Sequence, residues 1–199
     1  MWPNSRRVRD RILGIIEVTL VVCGSVCVGW YGGVRVAASH EQAAMTRELE
    51  ITRLPAADVR AERPDYVPRG STVGRIDMPR LNLSAVAREG VDEGTLDVAV
   101  GHVPGTALPG DSGNAAFAAH RDTFFRPLHR VHTGDVVSVT TPRGTFRYLI
   151  TSTRVVDPDD VSVLDATSTP TLTLVTCYPF TYIGSAPQRF IVRAELLPR

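Results

Sequence analysis

Short runs of alternating apolar and polar residues, separated by glycine, proline and aspartate, dominate the chain from residue 71 onward. A period of two, with frequent β-branched residues, is typical of half-buried β-strands. The pattern predicts strands at Val73–Met78, Leu83–Ala87, Asn114–His120, Val136–Thr140, Thr145–Ser152, Thr171–Thr176 and Arg189–Leu196. Seven or eight strands at this spacing favour an all-β barrel or sandwich. Short helices are expected at Asp92–Val98 and Phe125–Val131.

The N-terminal end has a different pattern, a mostly apolar run from Ile12 to Tyr31. An α-helix needs about twenty residues to cross the core of a bilayer. Arginines at positions 6, 7, 9 and 11 precede the run, and Trp30 and Tyr31 end it. This predicts a single transmembrane helix with the N-terminus in the cytoplasm and the remainder outside. A signal peptide cleaved at Val36-Ala37-Ala38 is the competing interpretation, although the run is longer than a typical signal core.

The segment between this run and the strands is polar and helix-prone at first, and then rich in proline and charge, with Pro55, Pro64 and Pro68. Such a composition is typical of a stalk or linker that lacks a core of its own. The sequence therefore predicts three parts: a basic end and membrane anchor over residues 1–38, a stalk over residues 39–70, and a folded domain over residues 71–199.

Composition narrows the possible partners. The 199 residues carry a formal net charge of +1, without the basic excess of a nucleic-acid-binding protein. Every basic residue is arginine, because lysine is absent. Cys23 and Cys27 lie in the apolar run, where packing is their simplest role. The cysteines and histidines lack the spacing of a zinc site, so neither a metal nor a cofactor is predicted.

Cys177 is the only cysteine of the predicted domain, and it directly follows the apolar strand Thr171–Thr176. A lone cysteine cannot form an internal disulfide, so its thiol is either a packing group or a nucleophile. A nucleophilic thiol needs a general acid and base, and on chemistry alone four histidines qualify: His102, His120, His129 and His132. Four arginines could likewise stabilise a developing oxyanion: Arg121, Arg126, Arg189 and Arg193.

The letters TLTLVTC at Thr171–Cys177, followed by YPF and by Gln188-Arg189-Phe190, resemble the signature of the sortase family. The segment HRDTFFRPL beginning at His120 and the segment GHVPGT beginning at Gly101 resemble class D sortases. Ala119 stands where the family often has glycine. The resemblance extends from about Ser71 to Arg193, which is nearly the whole predicted domain.

This resemblance implies a closed eight-stranded barrel with short helices, preceded by the transmembrane helix and linker. It also implies a membrane-anchored cysteine transpeptidase. Cys177 would be the nucleophile that forms a thioacyl enzyme. His120 would protonate the leaving amine and deprotonate the incoming one. Arg189 would donate hydrogen bonds to the developing oxyanion or to the substrate backbone.

The implied substrates are proteins that carry a C-terminal LPxTG-like sorting signal, cleaved between Thr and Gly. The implied acceptor is an amine, from a peptidoglycan stem or cross-bridge or from a pilin lysine. We expect the substrate groove between the strand leading to Cys177, the strand Thr145–Ser152 and the loop Thr153–Pro170. Its predicted contacts are Thr176, Val161 and Leu164, because apolar walls suit Leu and Pro side chains.

Three other functions compete with this one. An L,D-transpeptidase also pairs cysteine with histidine, but its cysteine normally follows a Ser-x-Gly turn, which does not occur before Cys177. A sorted surface protein or pilin would need a C-terminal sorting signal and an apolar tail, which the ending Leu196-Leu197-Pro198-Arg199 does not resemble. A catalytically inactive binding barrel is disfavoured because the cysteine, the histidine and the arginine are all present.

Overall fold

The computed structural model describes residues 13, 15–31, 42–43, 47 and 67–198. The chain divides into two compact units, Met1–His40 and Glu41–Arg199. The described part of the second unit contains eight strands: β1 (Thr72–Met78), β2 (Leu83–Glu89), β3 (Val100–His102), β4 (Asn114–Ala118), β5 (Val136–Thr141), β6 (Gly144–Val156), β7 (Thr171–Tyr178) and β8 (Gln188–Leu196).

The strands form a closed barrel in the order β1-β2-β3-β4-β7-β8-β6-β5, which pairing of β5 with β1 completes. Two neighbouring pairs are parallel, β2 with β3 and β4 with β7. The remaining pairs are antiparallel. The predicted all-β, eight-stranded barrel is therefore confirmed.

Alternate residues of the strands pack into one apolar core inside the barrel. On β7, Leu172 and Leu174 are fully buried in this core, against Phe117 of β4 among others. Successive side chains of a strand point to opposite faces of a sheet. Val175 and Cys177 therefore lie on the outer face of the barrel, where the candidate nucleophile is accessible.

The strand predicted at Asn114–His120 ends at Ala118, other strand ends shift by one or two residues, and two differences are larger. The three-residue β3 was not predicted, because it is too short to display a period and contains Gly101. The strand predicted at Thr145–Ser152 continues to Val156, because its second half pairs with β8. The predicted loop Thr153–Pro170 therefore begins later, after Val156.

The helical elements are short. The helix Glu93–Val98 agrees with the prediction, and the carboxylate of Asp92 caps it by accepting a hydrogen bond from Thr95 N at 3.1 Å. The helix predicted at Phe125–Val131 is instead a 3₁₀-helix over Arg126–Arg130, with proline in its first turn.

In the first unit, residues 15–31 are helical, and apolar side chains along them are exposed. Within the described residues, no helix combines the length and the apolar character that crossing a membrane requires. The predicted anchor Ile12–Tyr31 is only partly within the described residues. Most of the predicted stalk over residues 39–70 lies outside them. Both therefore remain predictions.

Gly110 is a position where a side chain should be costly. Its φ of +88° lies in the left-handed region, and a Cβ atom would lie 2.1 Å from Cε1 of the core residue Phe146. We predict that Gly110→Ala lowers the free energy of unfolding by about 2–5 kcal/mol, because backbone strain and displacement of a packed ring add together. Urea denaturation measures the change.

Gly105→Ala is the matched control for this experiment. Gly105 lies in the same loop with a similar φ of +82°, but a Cβ atom there would meet no atom within 4 Å. The control should lose only the backbone contribution. Equal losses for the two variants would show that the contact with Phe146 has no effect.

Candidate active site

Cys177 lies near the end of β7, with its thiol partly exposed. In the antiparallel pairing of β7 with β8, Cys177 is directly opposite Arg189. Directly opposed residues project from the same face of a sheet, with Cβ atoms about 4.5–5.5 Å apart. The barrel thus brings the predicted nucleophile next to the predicted guanidinium.

His120 approaches Cys177 from the other side, because β4 and β7 are parallel neighbours. Ala118 is in register with Val175, and Ala119 N donates to Val175 O at 3.2 Å. His120 therefore follows the end of β4 at the level of Cys177, which is one residue before the end of β7. Among the described residues, no hydrogen bond joins Cys177 to His120.

Thr176, predicted to contact the substrate, has a different environment from Cys177. Its side chain is only 3% exposed, and its hydroxyl donates to Ala119 O at 2.7 Å. It shares the inner face of β7 with Leu172 and Leu174. Thr176 thus joins the strand of the nucleophile to the segment that carries His120, and any contact with a substrate is left to its backbone.

Asp97 is a neighbour of His120 that the sequence did not reveal. Its Oδ1 atom lies 3.9 Å from Nε2 of His120, and both side chains are well exposed. Asp97 belongs to the helix Glu93–Val98, which precedes β3. No motif links these two positions, so only the fold could bring the carboxylate to the imidazole.

The other three histidines of the domain serve the structure around them. His102 is buried, with Nδ1 2.5 Å from Oε2 of Glu89 and Nε2 3.0 Å from Ala107 O. Nδ1 of His129 contacts Arg126 O at 2.7 Å, within the same 3₁₀-helix. Nδ1 of His132 lies 3.2 Å from Nη2 of Arg80. None of these hydrogen-bond contacts involves a residue next to Cys177, and the ring of His129 makes an edge contact with Phe180, three positions after Cys177.

The arginines around the site are also distinguished by their contacts. Nη1 of Arg189 donates to Gln188 O at 3.1 Å and to Ala186 O at 3.4 Å. Among the described residues, Arg121 forms no ion pair with its chain neighbour Asp122. Arg121 instead donates to two backbone carbonyls of the connection between β7 and β8.

Comparison with known proteins identifies the family of the chain. Residues 76–197 match the model of the sortase domain family, which is more than half of the chain. A curated relative, sortase D of Bacillus subtilis (strain 168), is 30% identical over 192 residues, which cover 89% of this chain and 96% of the relative. The chain belongs to the sortase family.

Solved structures agree with this assignment. A sortase D5 transpeptidase of Clostridium perfringens superposes with a TM-score of 0.71 at 26% identity, covering 80% of this chain and 99% of that one. Sortase C1 of Streptococcus agalactiae gives a TM-score of 0.60 at 28% identity, covering 72% and 74%. The protein is therefore a cysteine transpeptidase, as the resemblance to class D sortases implied.

In the sortase, the connection between β6 and β7, residues 157–170, forms a wall beside the site. A buried polar network holds this wall in place. Asn114 is 2% exposed, and its Nδ2 atom donates to Val163 O at 3.0 Å and to Asp165 O at 3.2 Å. The hydroxyl of Thr173 donates to Oδ1 of Asn114 at 2.7 Å. The connection between β6 and β7 is thereby fixed to the outer face of β4 and β7.

Arg193 strengthens the same wall. Its Nη2 atom donates to Val163 O at 2.8 Å. Burial lowers the pKa of the Arg193 guanidinium, and the nearby charge of Arg154 lowers it further, while Asp165 acts in the opposite direction. A guanidinium remains charged despite such a shift, so the hydrogen bond to the wall is kept.

The predicted apolar contacts Val161 and Leu164 belong to this wall, in the 3₁₀-helix Val161–Leu164. Val161 is 69% exposed and Leu164 is partly buried, whereas Val163 packs inward. Both residues are accessible to a ligand, and their role in binding remains a prediction. Within the described residues, no group of three or more His, Cys, Asp or Glu side chains could hold a metal ion.

Replacing each exposed histidine should separate a catalytic role from a structural one. We predict that His120→Ala lowers kcat for cleavage of a sorting-signal peptide by about 10²–10⁴-fold, because it removes the general acid and base. His129→Ala and His132→Ala should change kcat little. Steady-state kinetics on the three variants measure this, and a comparable loss for His129→Ala would refute the choice of histidine.

Proposed function

We propose that Cys177, His120 and Arg189 are the catalytic residues of this sortase. The observation that carries the proposal is their arrangement on three adjacent strands at one end of the barrel. Cys177 is opposite Arg189 in the β7–β8 register, and His120 follows β4 where it runs parallel to β7. A thiol between an imidazole and a guanidinium has the groups that two-step acyl transfer requires.

In the first step, the thiolate of Cys177 attacks the carbonyl carbon of the scissile peptide bond. The carbonyl oxygen becomes an oxyanion, and Arg189 donates hydrogen bonds to it. Both hydrogen bonds of the Arg189 side chain, to Ala186 O and to Gln188 O, use Nη1, so its Nε and Nη2 atoms have no hydrogen-bond partner among the described residues. As the carbon–nitrogen bond breaks, His120 in its protonated form gives a proton to the leaving amine.

In the second step, an acceptor amine replaces the leaving segment. The neutral His120 removes a proton from this amine as its nitrogen attacks the thioester carbon. Collapse of the tetrahedral intermediate forms the new amide and releases the thiolate of Cys177. Without an amine, water can attack in its place, and the acyl enzyme should then accumulate and hydrolyse slowly.

For the substrate, we propose an LPxTG-like sorting signal that is cleaved between Thr and Gly. An extended peptide on the outer face of β7 would pass the wall between β6 and β7. The exposed Val161 and the partly buried Leu164 provide an apolar side there, suited to the Leu and Pro side chains. The acceptor would be an amine of a peptidoglycan stem or cross-bridge, or a pilin lysine.

We further propose that the N-terminal run anchors the enzyme in the cytoplasmic membrane as a single helix, with its N-terminus inside. The arginines before Ile12 and the aromatic residues at Trp30 and Tyr31 support this orientation. The catalytic domain would then lie outside the cytoplasm, next to surface proteins and the cell wall.

Mass spectrometry of the intact enzyme tests the chemistry. After incubation with an LPxTG-type peptide library and no amine, we predict a covalent adduct on Cys177 that carries the motif up to its Thr. Cys177→Ala should form no adduct and cleave no peptide, because it lacks the nucleophile, while its circular dichroism spectrum stays unchanged. Adducts with peptidoglycan stem peptides alone would favour L,D-transpeptidase chemistry and refute the proposed substrate.

Cell fractionation tests the anchor. We predict that the full chain fractionates with membranes, and that protease added outside the cytoplasmic membrane releases the domain after Tyr31. The physical reason is that an uncleaved apolar helix partitions into the bilayer. N-terminal sequencing supplies the contrary outcome: a mature chain that begins at Ser39 would identify the run as a cleaved signal peptide.

A further inference from the structure

The connection between β7 and β8, residues 179–187, joins two of the proposed catalytic residues, and we call it the β7–β8 loop. It starts two positions after Cys177 and ends two positions before Arg189. Arg121, which directly follows His120, bridges this loop. Its Nη1 atom donates to Pro179 O at 3.2 Å and its Nη2 atom to Gly184 O at 2.9 Å.

The two arms of the loop are held differently. In the arm after Cys177, Phe180 packs against the barrel core and makes an edge contact with Phe190, with ring centroids 5.3 Å apart. In the arm before Arg189, Ile183 is 95% exposed and makes no contact with the core. Arg121 ties this second arm to the first through Gly184, and its guanidinium also lies 5.8 Å from the ring of Tyr182.

The second arm in turn holds Arg189. Nη1 of Arg189 donates to the carbonyls of Ala186 and Gln188, which belong to the end of the loop and the start of β8. The direction of the Arg189 guanidinium therefore depends on where these carbonyls lie. A continuous set of contacts leads from Arg121 through Gly184 and the loop backbone to Arg189.

We propose that Arg121 is a positioning residue of this sortase, which holds the β7–β8 loop so that Arg189 is aimed at the oxyanion. The proposal rests on the proposed catalytic role of Arg189. A planar guanidinium suits this task, because its two terminal nitrogens can reach two carbonyls at once. The ammonium of a lysine has a single nitrogen, so it would form a good hydrogen bond with only one of the two carbonyls.

The test compares Arg121→Ala with Arg143→Ala in the full-length enzyme. Arg143 is a matched control, because it also bridges a loop, donating to Asp111 and to Pro109 O, and its guanidinium also lies 5.8 Å from an aromatic ring. It lies in the turn between β5 and β6, at the opposite end of β8 from Arg189. Both variants should lower Tm to a similar extent.

The kinetic outcomes should differ. We predict that Arg121→Ala lowers kcat/KM for a sorting-signal peptide by about 10- to 100-fold, as expected for a misplaced catalytic group. The loss should fall mainly on kcat, because the groove wall between β6 and β7 is untouched. Arg143→Ala should retain the wild-type kcat/KM, and Arg121→Lys should lie between Arg121→Ala and the wild type.

A double-mutant cycle then separates positioning from general stabilisation. If Arg121 acts through Arg189, Arg121→Ala should cost no further activity in an Arg189→Ala background, because interacting residues are not additive. Additive losses, or a loss in Arg143→Ala as large as that in Arg121→Ala, would overturn the proposal. So would an Arg121→Ala enzyme with wild-type kcat.

The same measurements distinguish failure of this proposal from failure of the proposed catalytic residues. If Arg189→Ala alone retains wild-type kcat/KM, the catalytic assignment of Arg189 is wrong, and the positioning role of Arg121 falls with it. If Arg189→Ala is strongly impaired while Arg121→Ala is not, the catalytic assignment stands and only the positioning role is refuted.

Discussion

The parallel pairing of β4 with β7 is the constraint on which the proposed active site depends. Parallel neighbours have their carboxyl ends at the same edge of the sheet. His120 and Cys177 therefore lie at the same edge, although the chain forms two further strands between them. Two hydroxyl groups of β7 stabilise this register by hydrogen bonds. Thr173 donates to Oδ1 of Asn114, and Thr176 donates to the carbonyl oxygen of Ala119. A slip by one residue would turn Cys177 into the barrel core.

Guanidinium groups connect the loops to the barrel and to one another. In a chain without lysine, several arginines donate to backbone carbonyls of segments distant in sequence: Arg80 to Arg130, Arg121 to Pro179, Arg143 to Pro109 and Arg193 to Val163. Exposure to solvent limits what each such hydrogen bond adds to stability. Their larger effect is geometric, because a two-pronged donor fixes the direction of a loop as well as its distance. Two of these loops border the active site.

Much of the fold could be predicted from local patterns. Alternation marks the long strands because each has one face in the core, and the cap Asp92 marks the start of the helix Glu93–Val98. The motif around Cys177 predicted the candidate nucleophile and indicated the family. Sequence patterns did not predict elements that depend on pairing with other strands. The strand β3 is too short to display a period, and β6 extends to Val156 because β8 pairs with it.

The sequence alone determined the residue types available for catalysis, since a lone thiol, a few histidines and a set of arginines can be counted along the chain. It could not choose among those histidines by chemistry, and it could not see that Asp97 faces His120 or that Arg121 bridges the β7–β8 loop. These are contacts between positions far apart in sequence. Only the closure of the barrel decides them, because strand order and register determine which side chains share one end and one face.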